Sequence, residues 1–285
     1  MKKKIKIIII CVFAAAVLIA SVVAIAVNYH SIYVFVEAKG FLKAPIAIEK
    51  ANSNKFDEYY VSDLEIDKRV IFDQSLMLVN TEYMLENGFI PDVLEYNDTT
   101  VYMNRCMLEA YASLSAAVSE KTGKKLYVSS DLRSAEEQAA LYEEDPLTAT
   151  VPGASEHQAG LALDVYVAYY AGDAFVKSPA GRFVNSHAHE YGFIIRYPAY
   201  GEDVTGIRYE PWHIRYVGHP HSDAIYRNHT TLEEYVKSFE VGEWYEIDGY
   251  LVSRQKIGKT LILPDDFRSC VISPDNMGNY IITVK

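Results

Sequence analysis

Cysteine is scarce in this chain, and basic residues are outnumbered. Three cysteines (Cys11, Cys106, Cys270) occur in 285 residues, none in a CxxC spacing. That excludes a disulfide-stapled mini-domain. Lysine and arginine together number 27 against 38 acidic residues, a net charge of −11. Phosphate binding needs a basic face, so nucleic acid is not an expected partner. Internal repeats and low-complexity tracts are missing, and helices and strands mix without a βαβ rhythm. The pattern therefore points to an α+β fold rather than a doubly wound sheet. Half of the residues are apolar and 23% are charged, which rules out a disordered chain and leaves room for a large core.

Long hydrophobic runs are also rare, with one exception at 7–27 (IIIICVFAAAVLIASVVAIAV). As a helix, such a run would be about 31 Å long, the thickness of a bilayer core. Lys2, Lys3, Lys4 and Lys6 precede it. Basic residues before a first span keep the N-terminus in the cytoplasm and send the remainder outside. Ala24-Ile25-Ala26 also fits a signal-peptide cleavage site, but the run is longer than a usual signal core, which favours an uncleaved anchor. Both readings export the rest of the chain. The first 27 residues hold four lysines and no acid, so the exported part carries 23 basic and 38 acidic residues.

Residues 28–75 are polar, tyrosine-rich and aperiodic, and read as a juxtamembrane stalk. Asn104 is placed to cap a helix over 105–121, which Gly123 closes. KLYVS at 125–129 reads as a strand, and Ser134 with Glu137 forms a capping box for a helix over 135–144. Residues 161–167 alternate as a half-buried strand. Ser178-Pro179 opens a helix that Gly192 stops, and 193–196 and 208–217 read as strands. Past 237, short β-like runs at 250–253, 260–263, 270–273 and 280–284 alternate with turn residues and suggest a small β appendage. The expected organisation is an anchor over 1–27, a stalk over 28–75, a main domain over 76–236 and the appendage over 237–285.

Two segments gather metal-ligating residue types. The first is SEHQAGLALD, with His157 and Asp164; the second is EPWH, with Glu210 and His213. A catalytic metal takes three such ligands and keeps one position open. Asp164 stands on a half-buried strand, where a carboxylate is costly unless paired or metal-bound. Glu210 is placed to act as a general base. Odd spacings along a regular strand point to opposite faces, so His157 has to lie in the loop before the strand, and Pro211 has to mark an irregularity before His213. On spacing alone, several unrelated polar residues that are each satisfied locally would read the same way.

The two segments match SxHxxGxAxD and ExWH, and Ser130-Asp131-Leu132-Arg133-Ser134 with Gln138 is similar to an SGYRS...Q element. Together they resemble the zinc D-alanyl-D-alanine peptidases of the VanY, VanX and VanXY types and the related L,D-carboxypeptidases. The resemblance covers about 76–236 and includes Leu78-Val79-Asn80, Tyr191-Gly192-Phe193 and the run 206–218. It implies an α+β, Hedgehog/D,D-peptidase-like zinc domain with a central antiparallel sheet flanked by helices. It implies zinc (Zn2+) held by His157, Asp164 and His213, with Glu210 as base. Arg133 would oppose the oxyanion or clamp a substrate carboxylate, and Ser155, Gln138, Ser130 and Trp212 would contact substrate. Asp131-Leu132 departs from the family's glycine and aromatic, beside Arg133 but away from the metal. The implied substrate is the peptidoglycan stem peptide, trimmed of its terminal D-alanine outside the membrane, an activity that in this family can underlie glycopeptide resistance. An L,D-carboxypeptidase acting on tetrapeptides and an inactive wall-binding module are the alternatives.

Other motifs carry less. His187-Ala188-His189 and His219-Pro220-His221 read as ordinary surface histidines. Lys121-Thr122-Gly123 and Ser253-Arg254-Gln255-Lys256 occur in the wrong order and context for a serine enzyme. Cys106 and Cys270 have the option of pairing outside the cell, which the sequence leaves open.

Overall fold

The computed structural model describes residues 43–51, 55–146 and 149–285, together with 14, 17–23, 29, 31–37 and 39–40. Within the expected anchor over 7–27, positions 14 and 17–23 are helical and exposed, and the rest of that run lies outside the described residues. No helix of the described residues is long and apolar enough to cross a membrane. Residues 1–42 form one unit and residues 43–285 a second, compact one.

From residue 43 the chain is not a stalk. It supplies β1 (Glu49–Lys50), β2 (Phe56–Tyr60), a short helix Val61–Leu64 and β3 (Val70–Phe72). All three strands pair with strands that lie beyond residue 243. Strands of two to five residues are too short to show a period of two, and their partners are about 200 residues away. The expected stalk therefore looked aperiodic.

The helix Leu108–Thr122 follows a hairpin of β4 (Val93–Glu95) and β5 (Tyr102–Asn104). Asn104 Oδ1 accepts from the Cys106 amide, opening a 3-10 turn that runs into the helix. Gly123, left-handed at φ 66°, ends it, a conformation that glycine adopts without strain. Tyr111, Leu114 and Val118 fall at helical spacing and are buried. The helix Ala135–Glu144 carries the capping box of Ser134 and Glu137.

The central sheet is antiparallel in the order β6 (Tyr127–Ser130), β7 (Ala162–Tyr166), β9 (His213–Tyr216), β8 (Phe193–Ile195). Alternation gives it two faces of different chemistry. Leu163, Val165, Phe193 and Ile214 pack into one core with the helices Leu108–Thr122 and Pro179–His187. Asp164, His213 and Arg215 fall on the opposite face.

The C-terminal strands are β10 (Trp244–Ile247), β11 (Tyr250–Lys256), β12 (Thr260–Pro264), β13 (Cys270–Pro274) and β14 (Asn279–Val284). A six-stranded sheet runs β1-β10-β11-β14-β13-β3, while β12 pairs with β2. This sheet is no loose appendage. Tyr245, Ile247, Val252 and Ile281 share one core with Leu76, Leu78 and Ile194 and with the helices His221–Asn228 and Leu232–Ser238. Its other face packs on the β2–β12 ribbon through Trp244, Leu261, Leu263 and Ile282. His221, buried, joins the two halves: Nδ1 bonds the Tyr235 hydroxyl and Nε2 the Thr283 hydroxyl, both at 2.8 Å. Cys106 and Cys270 are free thiols that belong to different cores.

Candidate metal centre

Strand register builds the site. Asp164 on β7 lies directly opposite His213 on β9, so both side chains rise from the polar face of the sheet. His157 sits in a 3-10 turn, Glu156–Ala159, just before β7, on the loop that its odd spacing required. Gly160 ends that turn at φ 66°, and a Cβ there would stand 2.6 Å from Val93 Cγ1 and 3.1 Å from the Asn104 amide. Only glycine lets the chain turn from His157 into β7 against this hairpin. Pro211 interrupts the strand before β9, and the His213 amide donates back to the Glu210 carbonyl at 3.2 Å. That turn brings Glu210 Oε2 to 3.7 Å from His213 Nδ1.

The candidate ligand atoms of His157, Asp164 and His213 lie within 4.8 Å of one another. His157 Nε2 is 3.4 Å from Asp164 Oδ2, and His213 Nδ1 is 3.1 Å from Asp164 Oδ1. Ligand atoms about 2 Å from one tetrahedral ion stand roughly 3.3 Å apart, so the donor set fits such an ion. Asp164 Oδ1 is buried without a hydrogen-bond partner among the described residues, as expected of an oxygen that serves a cation. His157 Nδ1 donates to the Asp131 carbonyl at 2.8 Å. A carbonyl only accepts, so the proton sits on Nδ1 and leaves Nε2 facing Asp164.

Burial would raise the Asp164 carboxyl, but His157 and His213 outweigh it and hold the group below the usual carboxylate range. Burial alone would lower His213, yet the carboxylates of Asp164 and Glu156 that face it override burial and raise this histidine to about 9. A site that binds a proton this firmly suits a cation. Glu210 is pushed up, chiefly by burial, with Asp164 adding to the rise.

Arg133, Gln138, Ser155, His157, Asp164, Glu210, Trp212 and His213 line one cleft of about 380 Å³, together with Tyr197 and Ile207. Ser130 does not line it. Its hydroxyl instead accepts from Arg133 Nη2 at 2.6 Å, while Gln138 Oε1 accepts from Nη1 at 2.7 Å. Arg133 is the only lysine or arginine among the described residues that line the cleft. Behind the site, sequence reasoning missed a buried network. Arg196 and Arg215 both donate to Glu156 Oε1, and Arg196 also donates to Glu233. An arginine at the end of one apolar strand (FIIR) and within another (HIRY) was the available signal, because a buried guanidinium demands a carboxylate.

A model of the VanY family, D-alanyl-D-alanine carboxypeptidase, matches residues 100–219. A D-alanyl-D-alanine carboxypeptidase of Enterococcus faecium is 31% identical over 245 residues, covering 77% of this chain and 78% of the relative. Among solved structures, a mutant of the D,D-pentapeptidase VanY from a VanB-type resistance cassette, in complex with Zn(II), superposes with a TM-score of 0.52 at 27% identity, over 57% of this chain and 98% of that one. The LD-carboxypeptidase LdcB superposes with a TM-score of 0.53 at 32% identity, over 57% of this chain and 86% of that one. The matched segment runs from β5 through β9 and takes in His157, Asp164, Glu210 and His213. With the Enterococcus relative aligned over most of both lengths, the chain belongs to the VanY-type D-alanyl-D-alanine carboxypeptidase family.

Proposed function

We propose that this protein is a zinc-dependent D,D-carboxypeptidase that removes the terminal D-alanine from peptidoglycan stem pentapeptides. The observation that carries the reading is the meeting of His157, Asp164 and His213 in one cleft with Glu210 beside them. Zinc bound there would supply a Lewis acid and a water whose pKa is lowered to about 7. Glu210, part-buried and with its carboxyl raised, takes the proton of the attacking water and passes it to the leaving amine. Asp164 and the two histidines would hold the zinc.

A carboxypeptidase must hold the free carboxylate at the end of its substrate. Arg133 is the cation suited to this, since its guanidinium is already oriented by Ser130 and Gln138 and can offer its remaining N–H groups to a carboxylate. Arg133 also lines a second cavity of about 510 Å³ with Leu85, Phe89, Leu132 and Pro152. A peptide longer than a dipeptide therefore has room to extend. The basic-flanked apolar run over 7–27 supports placing the enzyme outside the cell, tethered to the membrane.

The test is release of D-alanine by the full-length protein from a pentapeptide and from a tetrapeptide, with and without chelator. Release from the pentapeptide that the chelator blocks is the expected result. Release from the tetrapeptide alone would make the protein an L,D-enzyme, the activity named for LdcB, and zinc-loaded protein without hydrolysis would make it a binding module.

A further inference from the structure

The two histidines of the site are oriented by different devices. His157 donates to a main-chain carbonyl and presents Nε2. His213 presents Nδ1, which faces Asp164 at 3.1 Å and Glu210 at 3.7 Å. Its far nitrogen, Nε2, points into the protein interior, 3.7 Å from Glu156 Oε2. Both of these atoms are buried, and neither has a hydrogen-bond partner among the described residues. Two orphaned polar atoms that face each other are costly unless a proton lies between them.

The geometry of Glu156 explains why the proton belongs there. Arg196 Nε and Arg215 Nη1 both donate to Oε1, at 2.6 and 2.7 Å, so Oε2 is left to point at the ring. Neither arginine is free to shift. Arg215 Nη2 also donates to the carbonyls of Ser75 and Met77, both at 2.8 Å, and Arg196 is held by Glu233. We infer that Glu156 is a positioning residue for His213: its Oε2 accepts the Nε2 proton and thereby reserves Nδ1 for the cation. The inference rests on the reading of His213 as a metal ligand. It adds that one buried carboxylate, clamped by two arginines, selects which nitrogen is presented.

Glu156→Gln reverses the selection. The two guanidiniums still need an acceptor, so the amide oxygen turns to them and the amide N–H group turns to His213. A donor now faces Nε2, the ring proton moves to Nδ1, and the position meant for the cation is blocked. Zinc affinity, measured by chelator competition, is expected to fall by roughly 10–100-fold. Glu233→Gln disturbs the same network without facing His213, so it should lower the melting temperature and keep zinc affinity near wild type. Equal loss of zinc affinity in both variants would reduce Glu156 to a structural role. Near-wild-type affinity in Glu156→Gln would overturn the inference. Should that variant not fold, isotope-edited NMR of the imidazole nitrogens in zinc-loaded wild type decides: the proton is expected on Nε2 of His213 and the metal on Nδ1, and the reverse sinks the proposal. His213→Ala separates the two levels, because unchanged zinc affinity there removes the ligand reading itself.

Discussion

Raising the pH from 6 to above 9 should strengthen metal binding in a way set by one residue. In the metal-free protein His213 holds a proton up to a pH of about 9, because Asp164 and Glu156 face it in a buried site. A metal binds Nδ1 only after that proton leaves. At pH 7 the protonated form outweighs the neutral one by about a hundredfold, a penalty of about 2.7 kcal/mol on metal affinity. Each pH unit below 9 therefore costs about tenfold, and the dependence flattens above it. The metal-free fold has the opposite trend. The folded value lies above the ordinary 6.5, so the stabilisation is fully present below pH 6.5 and is lost as pH rises through 9. That amounts to about 3 kcal/mol. Competition with a chelator across this pH range, corrected for the chelator's own protons, gives the affinity slope. Calorimetry at pH 7 in two buffers of different ionisation enthalpy counts the protons released, with about one expected from His213. Affinity that is flat from pH 6 to 9, with no proton released at pH 7, would refute the reasoning.

Three further outcomes follow from the same geometry. Glu210→Ala should keep zinc bound and lower turnover by roughly 10²–10⁴-fold, which metal analysis beside a D-alanine assay would check; near-wild-type turnover would remove Glu210 as the base. Gly160→Ala combines left-handed backbone strain of about 1–2 kcal/mol with a Cβ only 2.6 Å from Val93 Cγ1, so chemical denaturation should show at least that loss, with zinc affinity falling as the His157 turn shifts. His221, buried and lowered to about 3, is favoured neutral in the fold, so stability is lost as pH falls from 6.5 toward 3, by up to about 5 kcal/mol. Acid titration of wild type and His221→Gln should show this limb shrinking in the variant.

The chemistry of the site was legible because it is local. SEHQAGLALD spans one turn and one strand, and the odd spacing of His157 and Asp164 already required the loop that the 3-10 turn provides. The Asn104 cap, the Gly123 stop and the Ser134–Glu137 box were equally visible, since each acts within a few residues. The strands before residue 73 were not, because β3 finds its partner β13 in parallel across some 200 residues and is too short to carry a pattern. The strand Trp244–Ile247 was missed for a related reason. Its first two residues are buried on opposite faces, Trp244 in one core and Tyr245 in the other, so its apolar residues do not alternate. The Glu156 network joins groups 37 to 59 residues apart, and no local rule pairs a particular buried arginine with a particular acid.

That network also ties the C-terminal sheet to the wall behind the metal site. Arg215 reaches Glu156 with one arm and the carbonyls of Ser75 and Met77 with the other. The same segment is gripped from its far side: the Leu76 amide donates to Ser273 Oγ at 2.9 Å, the Leu78 amide to the Asp275 carbonyl, and Asn276 Nδ2 to the Leu78 carbonyl. Asp275 is in turn fixed by Arg254 of β11 at 2.7 Å. Buried hydrogen bonds to charged groups lose their value when any member is displaced, because its partners are left unsatisfied. A continuous path of hydrogen bonds therefore runs from the β13–β14 turn through residues 75–78 to Arg215 and Glu156, whose Oε2 faces the ring of His213 at 3.7 Å. The sheet therefore backs one wall of the metal site through these bonds, and the residues before position 73 complete both edges of that sheet.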